Sequence, residues 1–207
     1  MKIILFGMKH SGKSTLGRAL ARFLGCPFYD VDELIENAFK TELCRKMSVR
    51  EILAHYGEKG FNEREERTVY DLYNRLKTEE EIQRQGGTPS SDCVIALGGR
   101  TPLNRKLAGI LKDLGLNIFL KVDALEMWRR AMKNGIPSFL KSPDPMEEFL
   151  ALYKKREPHY EKHADLTVCL DDLSLEESVH TIVRAIGQEA IGQEADGPGK
   201  EADGARK

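Results

Sequence analysis

The chain has 207 residues, 41% hydrophobic and 31% charged, with 32 basic against 33 acidic side chains and a formal net charge of −1. That balance gives no electrostatic case for a nucleic-acid partner or an anionic membrane surface, and no apolar stretch approaches the ~20 residues of a membrane span. Four scattered cysteines (Cys26, Cys44, Cys93, Cys169) form no C-x-x-C pair, which argues against a metal or disulfide framework and for reduced, mostly buried thiols in a cytoplasmic protein.

Ile3, Ile4, Leu5 and Phe6 form a short apolar run suited to a buried strand, too short for a signal peptide. From Thr15 the period turns helical, with Leu16, Ala19, Leu20, Phe23 and Leu24 on one stripe. After the Gly25-Cys26-Pro27 turn, Phe28 and Tyr29 lead a second strand into Asp30-Val31-Asp32, with a helix expected over Glu33 to Phe39. Ser48 with Glu51 three residues on is a capping box, opening a helix to His55 that Gly57 and Gly60 break. A long charged helix is expected from Asn62 towards Gln85, with Val69, Leu72, Tyr73 and Leu76 inward.

A loop over 86–91 precedes a buried strand, Cys93 to Leu97, which stops at Gly98-Gly99-Arg100. Ile118 to Val122 is another strand, followed by a helix bearing Leu125, Trp128 and Arg129. The Gly-, Pro- and Ser-rich stretch Asn134 to Pro145 reads as a loop. Met146 to Arg156 is expected as a helix, Thr167 to Leu170 as the last strand and Ser174 to Ile186 as the last helix. From Gly187 the repeated Gly-Gln-Glu-Ala (187–190 and 192–195) and the polar remainder read as a disordered low-complexity tail, residues 187–207. Strands alternating with helices over residues 1–186 predict one domain with a parallel sheet covered on both faces.

The chemistry is concentrated at residues 7–14, Gly-Met-Lys-His-Ser-Gly-Lys-Ser, which fill the P-loop pattern G-x-x-x-x-G-K-[ST] without mismatch. The glycines let backbone N–H groups turn inward on a phosphate, and the loop delivers it to a helix N-terminus, whose dipole favours an anion. The phosphate cradle is thus expected from Gly7, Lys9, His10, Ser11, Gly12, Lys13, Ser14 and Thr15, with His10 at a variable position. Lys13 would neutralise the outer phosphates and Ser14 would offer a hydroxyl to magnesium. Asp30 and Asp32, two apart at a strand end, are either a metal–substrate pair or a helix cap made by Asp32. His159 and His163 lack a third zinc ligand, and Glu79-Glu80-Glu81 reads as a solvated helix face.

In order along the chain, the P-loop, Phe28-Tyr29-Asp30-Val31-Asp32, Gly57-Glu58-x-x-Phe61 with Glu65, Leu97-Gly98-Gly99, and Arg156-x-x-x-Tyr160-x-x-x-Ala164-Asp165 resemble the blocks of shikimate kinases. The resemblance covers residues 1–186. It implies a three-layer α/β/α P-loop kinase of the nucleoside-monophosphate-kinase type, with a five-stranded parallel sheet, a helical substrate region near 33–62 and a lid near 133–145. It also implies an ATP- and Mg²⁺-dependent kinase that moves the γ-phosphoryl group to a hydroxyl of a small carboxylic acid, shikimate first, acting as a monomer in the cytoplasm on a small-molecule partner in aromatic amino-acid biosynthesis. By the same resemblance Ser14 ligates magnesium directly and Asp30 through water. Asp32 holds the acceptor hydroxyls and joins Lys13 in catalysis, Gly98, Gly99 and Arg156 line the acceptor, and Arg129 lies against the adenine.

Three positions depart from the family pattern: Asn62 for an arginine, Arg100 for a third glycine, and Ile136-Pro137 for the lid's Arg-Pro pair. Asparagine cannot replace a bidentate guanidinium on a carboxylate, so Arg100 is expected to supply part of that charge, against the alternative that it points into solvent or pairs with a nearby glutamate. Lys133 and Lys141 are the candidate cations of the lid. Two other functions stay open: a kinase for another hydroxy acid or for a hydroxylated amino acid such as homoserine, with Glu65 or Asp32 facing an ammonium group, and a nucleotide-binding regulatory module without catalysis.

Overall fold

Five strands form the sheet: β1 (Lys2–Phe6), β2 (Phe28–Asp30), β3 (Cys93–Ala96), β4 (Leu116–Lys121) and β5 (Leu166–Cys169), the central β1, β3 and β4 buried on both faces and the edge strands β2 and β5 only in part. All pairings are parallel, in the order β2-β3-β1-β4-β5, with Ile4 opposite Ile95 on one side and Asn117 on the other. The computed structural model describes residues 1–87, 92–133, 136 and 140–195, the last six without side chains. The expected loop at 88–91, most of the lid centre and the tail beyond 195 lie outside the described residues.

The helices are α1 (Lys13–Leu24), α2 (Val31–Leu43), α3 (Val49–Arg84), α4 (Ala108–Leu114), α5 (Ala124–Met132), α6 (Pro145–His163) and α7 (Leu175–Ala195). The connection from β1 to β2 runs the opposite way along the sheet from all later ones. Right-handed crossovers therefore set α1 on one face and α4 and α6 on the other. Helix α7 returns to pack on α1, which completes three layers. Among the described residues no helix is long and apolar enough to cross a membrane.

Several elements differ from the sequence reading. Helix α1 buries Leu16, Gly17, Leu20 and Ala21, while Phe23 is 54% exposed. The stripe is rotated because small residues let the helix approach the sheet: a β-carbon on Gly17 would lie 2.4 Å from the Phe28 ring. Gly60 does not interrupt α3; only Gly57 does, as a kink at φ 69°, ψ 179°. The capping box is present, with Ser48 N donating to Glu51 Oε2 at 2.8 Å and Glu51 N to Ser48 Oγ at 3.3 Å. Helix α4 and the 3₁₀ turn Thr101–Leu103 before it were not anticipated, although buried Leu107, Leu111 and Leu114 carry a helical spacing.

Helix α6 runs through Pro158, seven residues past its expected end, and α7 reaches Ala195, nine residues into the expected tail. Cys44 and Cys169 are exposed, so the thiols are not mostly buried.

The core converges on three rings. Phe6 stacks on Phe119 at 6.1 Å, and Tyr160 of α6 lies 5.3 Å from Phe119 and 6.2 Å from Phe6. Phe119→Ala removes the central ring of a close-packed cluster and is expected to destabilise the fold by about 3–5 kcal/mol. Urea unfolding of the two proteins measures the difference.

Candidate active site

Strand order reverses beside β1, and open parallel sheets bind ligands at the carboxyl ends of the strands at that point. Three loops meet there. The first is the P-loop, residues 7–14, whose backbone takes positive φ at Gly7 (148°), His10 (72°) and Gly12 (91°). A β-carbon on Gly7 would stand 2.8 Å from the Leu120 carbonyl, so no larger residue fits. His10 holds a left-handed conformation that histidine adopts uncommonly. Its Nε2 is buried without a partner, and burial, with Lys9 and Lys13 adjoining, pushes its pKa down.

Lys13 opens α1 and curls back, donating to the carbonyls of Met8 (3.0 Å) and Gly7 (3.2 Å). Burial lowers its pKa to about 8 against the pull of Asp32 and Asp30. The amine therefore loses its charge at a lower pH than an ordinary lysine unless an anion holds it. Ser14 is exposed on the first turn.

The second loop follows β2. Helix α2 begins directly at Val31, and the cap is Asp30, whose Oδ1 accepts from Asp32 N at 3.0 Å. Asp32 is therefore neither an extended strand end nor the cap; it projects from the first helical turn. Burial, and then Asp30, raises its pKa. Asp30 is itself buried and keeps a second carboxylate oxygen beyond its cap.

The third loop leaves β3. A β-carbon on Gly98 would lie 2.8 Å from Glu65 Oε1, 3.1 Å from Thr101 Oγ1 and 3.2 Å from Asp32 Oδ1. Two carboxylates thus flank one bare stretch of backbone. Glu65 is 1% exposed and accepts from Thr101 Oγ1 at 2.6 Å; burial pushes it up to about 7. Gly99 closes on the P-loop, where a β-carbon would meet Lys9 N at 3.3 Å and Gly7 O at 3.4 Å. Tyr160 Oη donates to Gly99 O at 2.5 Å and fixes this loop to α6.

One turn earlier on α6, Arg156 reaches the P-loop, Nη1 lying 3.7 Å from Met8 Sδ. Arg156, Arg100, Asn62 and Glu65 line a common cavity of about 600 Å³. Arg100 is at its rim and pairs with Glu58, Nη1 to Oε1 at 2.9 Å and Nη2 to Oε2 at 3.4 Å. The structure thus shows the glutamate-partner alternative for Arg100.

A smaller cavity of about 290 Å³ on the far side of the P-loop is bounded by Ser11, Gly12, Thr15, Arg130, Leu170 and Leu173. Arg130, not Arg129, faces it. The Arg129 side chain is 70% exposed, and both arginines pair with Glu126, Arg129 at 3.4 Å and Arg130 at 3.0 Å. One residue along a helix is about 100°, and the apolar pattern alone did not resolve which arginine turns inward. Thr101 and Tyr160 Oη were missed as site residues; the R-x-x-x-Y spacing, one turn of α6, was the available signal for the second.

The sequence model of the shikimate kinase family matches residues 9–187. A shikimate kinase of Clostridium botulinum strain 657 is 37% identical over 187 residues, 88% of this chain and 94% of that protein. The shikimate kinase of Ruegeria pomeroyi is 32% identical over 185 residues, 89% of this chain and 84% of that protein. Among solved structures, shikimate kinase from Acinetobacter baumannii in complex with shikimate superposes with a TM-score of 0.74 at 26% identity, covering 90% of this chain and 93% of that one. The Aquifex aeolicus shikimate kinase gives 0.66 at 28% identity, covering 93% and 99%.

The depressed Lys13 pKa has a sign that can be tested. Bound phosphates favour the cationic form, so above about pH 8 the complex holds a proton that the free protein lacks. Affinity for a non-hydrolysable ATP analogue is expected to be flat below pH 8. It should then fall, by up to about tenfold per pH unit. Calorimetry from pH 7 to 9.5 measures it, and Lys13→Met is expected to abolish the slope.

Proposed function

This chain belongs to the shikimate kinase family, and on that premise we propose that it transfers the γ-phosphoryl group of ATP to a hydroxyl of shikimate. The observation that carries the reading is the pair of carboxylates beside Gly98, half-buried Asp32, which acts electrostatically on Lys13, and fully buried Glu65. A polyol needs acceptors for its hydroxyl protons, and a bare backbone between them leaves room for its ring.

In this reading the P-loop N–H groups and Lys13 hold the β- and γ-phosphates and disperse charge in the loose transition state. Asp32 orients the attacking hydroxyl and accepts its proton. Glu65, held by Thr101, takes a second hydroxyl. Arg156, with Arg100, grips the acceptor carboxylate in place of the arginine that Asn62 lacks. The purine lies between Arg130 and Leu173, since a guanidinium plane stacks well on an aromatic face.

Magnesium fits the donor set. The Ser14 hydroxyl and the Asp30 carboxylate are the hard oxygen ligands it takes, with water and phosphate filling the remaining positions. Bound there, the ion would neutralise phosphate charge; Asp30 would reach it through water while still capping α2.

ADP release from Mg-ATP is expected to rise sharply on adding shikimate and not on adding homoserine. No stimulation by any hydroxy acid would overturn the kinase reading in favour of a nucleotide-binding module. Asp32→Asn is expected to lower kcat by about 10²- to 10⁴-fold, as for loss of a general base, with KM for ATP little changed. Arg130→Ala is expected to raise KM for ATP about tenfold, the loss of ~1–2 kcal/mol of cation–π contact, while Arg129→Ala leaves it within about twofold. Steady-state kinetics of both variants decide between the two arginines.

A further inference from the structure

The Arg100–Glu58 pair carries a consequence for acceptor binding. Both guanidinium nitrogens face both carboxylate oxygens, at 2.9 and 3.4 Å, the fork-on-fork arrangement that a bound carboxylic acid would use. The Glu58 side chain is 72% exposed, and the residue directly follows the Gly57 kink of α3 (φ 69°, ψ 179°), beside which a β-carbon would meet nothing within 4 Å. Arg100 is the main cause of the lowered pKa of Glu58, and the charges of Arg156 and Lys141 act in the same direction. The side-chain carboxylate of Glu58 thus sits in the field of Arg100 and Arg156, two of the three arginines that line the cavity.

From this geometry we infer that Glu58 is a built-in competitor for the acceptor: its carboxylate occupies Arg100 while the site is empty, and the acceptor's carboxylate must displace it. The inference rests on the acceptor assignment made above. Glu58 takes the Nη1/Nη2 edge of Arg100, so an acceptor carboxylate that uses this same edge gains it only as Glu58 leaves. Glu58 swings away on the Gly57 kink, towards solvent. It is a specificity-setting residue rather than a catalytic one, because it touches neither reacting atom. A weakly held internal ligand also favours acceptors whose carboxylate engages both arginines together over monofunctional acids that engage one.

The pair is exposed, so its effect is small and measurable. Glu58→Gln is expected to lower KM for shikimate by about two- to fivefold, the range of exposed ion pairs, with kcat and KM for ATP unchanged. Arg100→Ala is expected to raise KM for shikimate about tenfold or more, and adding Glu58→Gln to it should change nothing further. An unchanged or raised KM in Glu58→Gln would overturn the inference, as would an equal drop in the Arg100→Ala background.

A readout independent of turnover is the rate of Arg100 modification by phenylglyoxal, followed by peptide mass. It should be faster in Glu58→Gln than in the parent, and equal rates would overturn the competitor role. Absence of shikimate turnover in the parent would instead sink the kinase reading, while the labelling rates still decide the fate of Glu58.

Discussion

The close approach of two backbones organises this molecule. Gly99 comes so near the P-loop that a single added carbon would press on Lys9 N and Gly7 O. That contact sets the end of β3 against the end of β1, and Tyr160 holds it from the other side through a 2.5 Å hydrogen bond to the Gly99 carbonyl. Because the Tyr160 ring is packed on Phe6 and Phe119, the site loop is anchored in the centre of the core. Rigid elements so placed hold side chains in position more firmly than free loops do.

Dehydration is the second theme. Lys13, Asp32 and Glu65 all have pKa values displaced towards neutrality, in each case first by burial. Opposite charges nearby limit the displacement for Lys13, whereas Asp30 adds to it for Asp32. The charged forms of these groups are thus less favoured than in water, and partners of opposite charge or hydrogen-bond donors would restore them. Phosphates favour charge on the lysine, and a hydroxyl donor to Asp32 favours its carboxylate. Perturbed groups of this kind mark working sites.

The acceptor side differs in character from the phosphate side. The phosphate side is built from backbone and one lysine, and its pattern tolerates little variation. The acceptor side is built from long side chains on three separate elements, α3, the loop after β3, and α6. Asn62 on α3 and Arg100 on the loop after β3 line the same cavity. There Arg100 pairs with a glutamate of its own chain.

Much of this was legible in the sequence. The P-loop states its own conformation, because its glycines fall at positions of positive φ and its neighbours change period from strand to helix. The five strands were legible because buried parallel strands are continuous apolar runs, and the Ser48–Glu51 box because capping is local chemistry. What the sequence could not decide depended on contacts between distant residues. Which of Arg129 and Arg130 faces the nucleotide cavity is set by how α5 docks. Whether Asp30 or Asp32 caps α2 turns on where the strand stops. Helix α6 continues through Pro158 although a proline normally argues for an end, and only that continuation puts Arg156 and Tyr160 one turn apart on the same site. The pairing of Arg100 with Glu58, 42 residues away, has no local signal at all. Local rules determined which residues could do chemistry; tertiary packing decided which of them meet, because meeting is a property of the folded distance and not of separation along the chain.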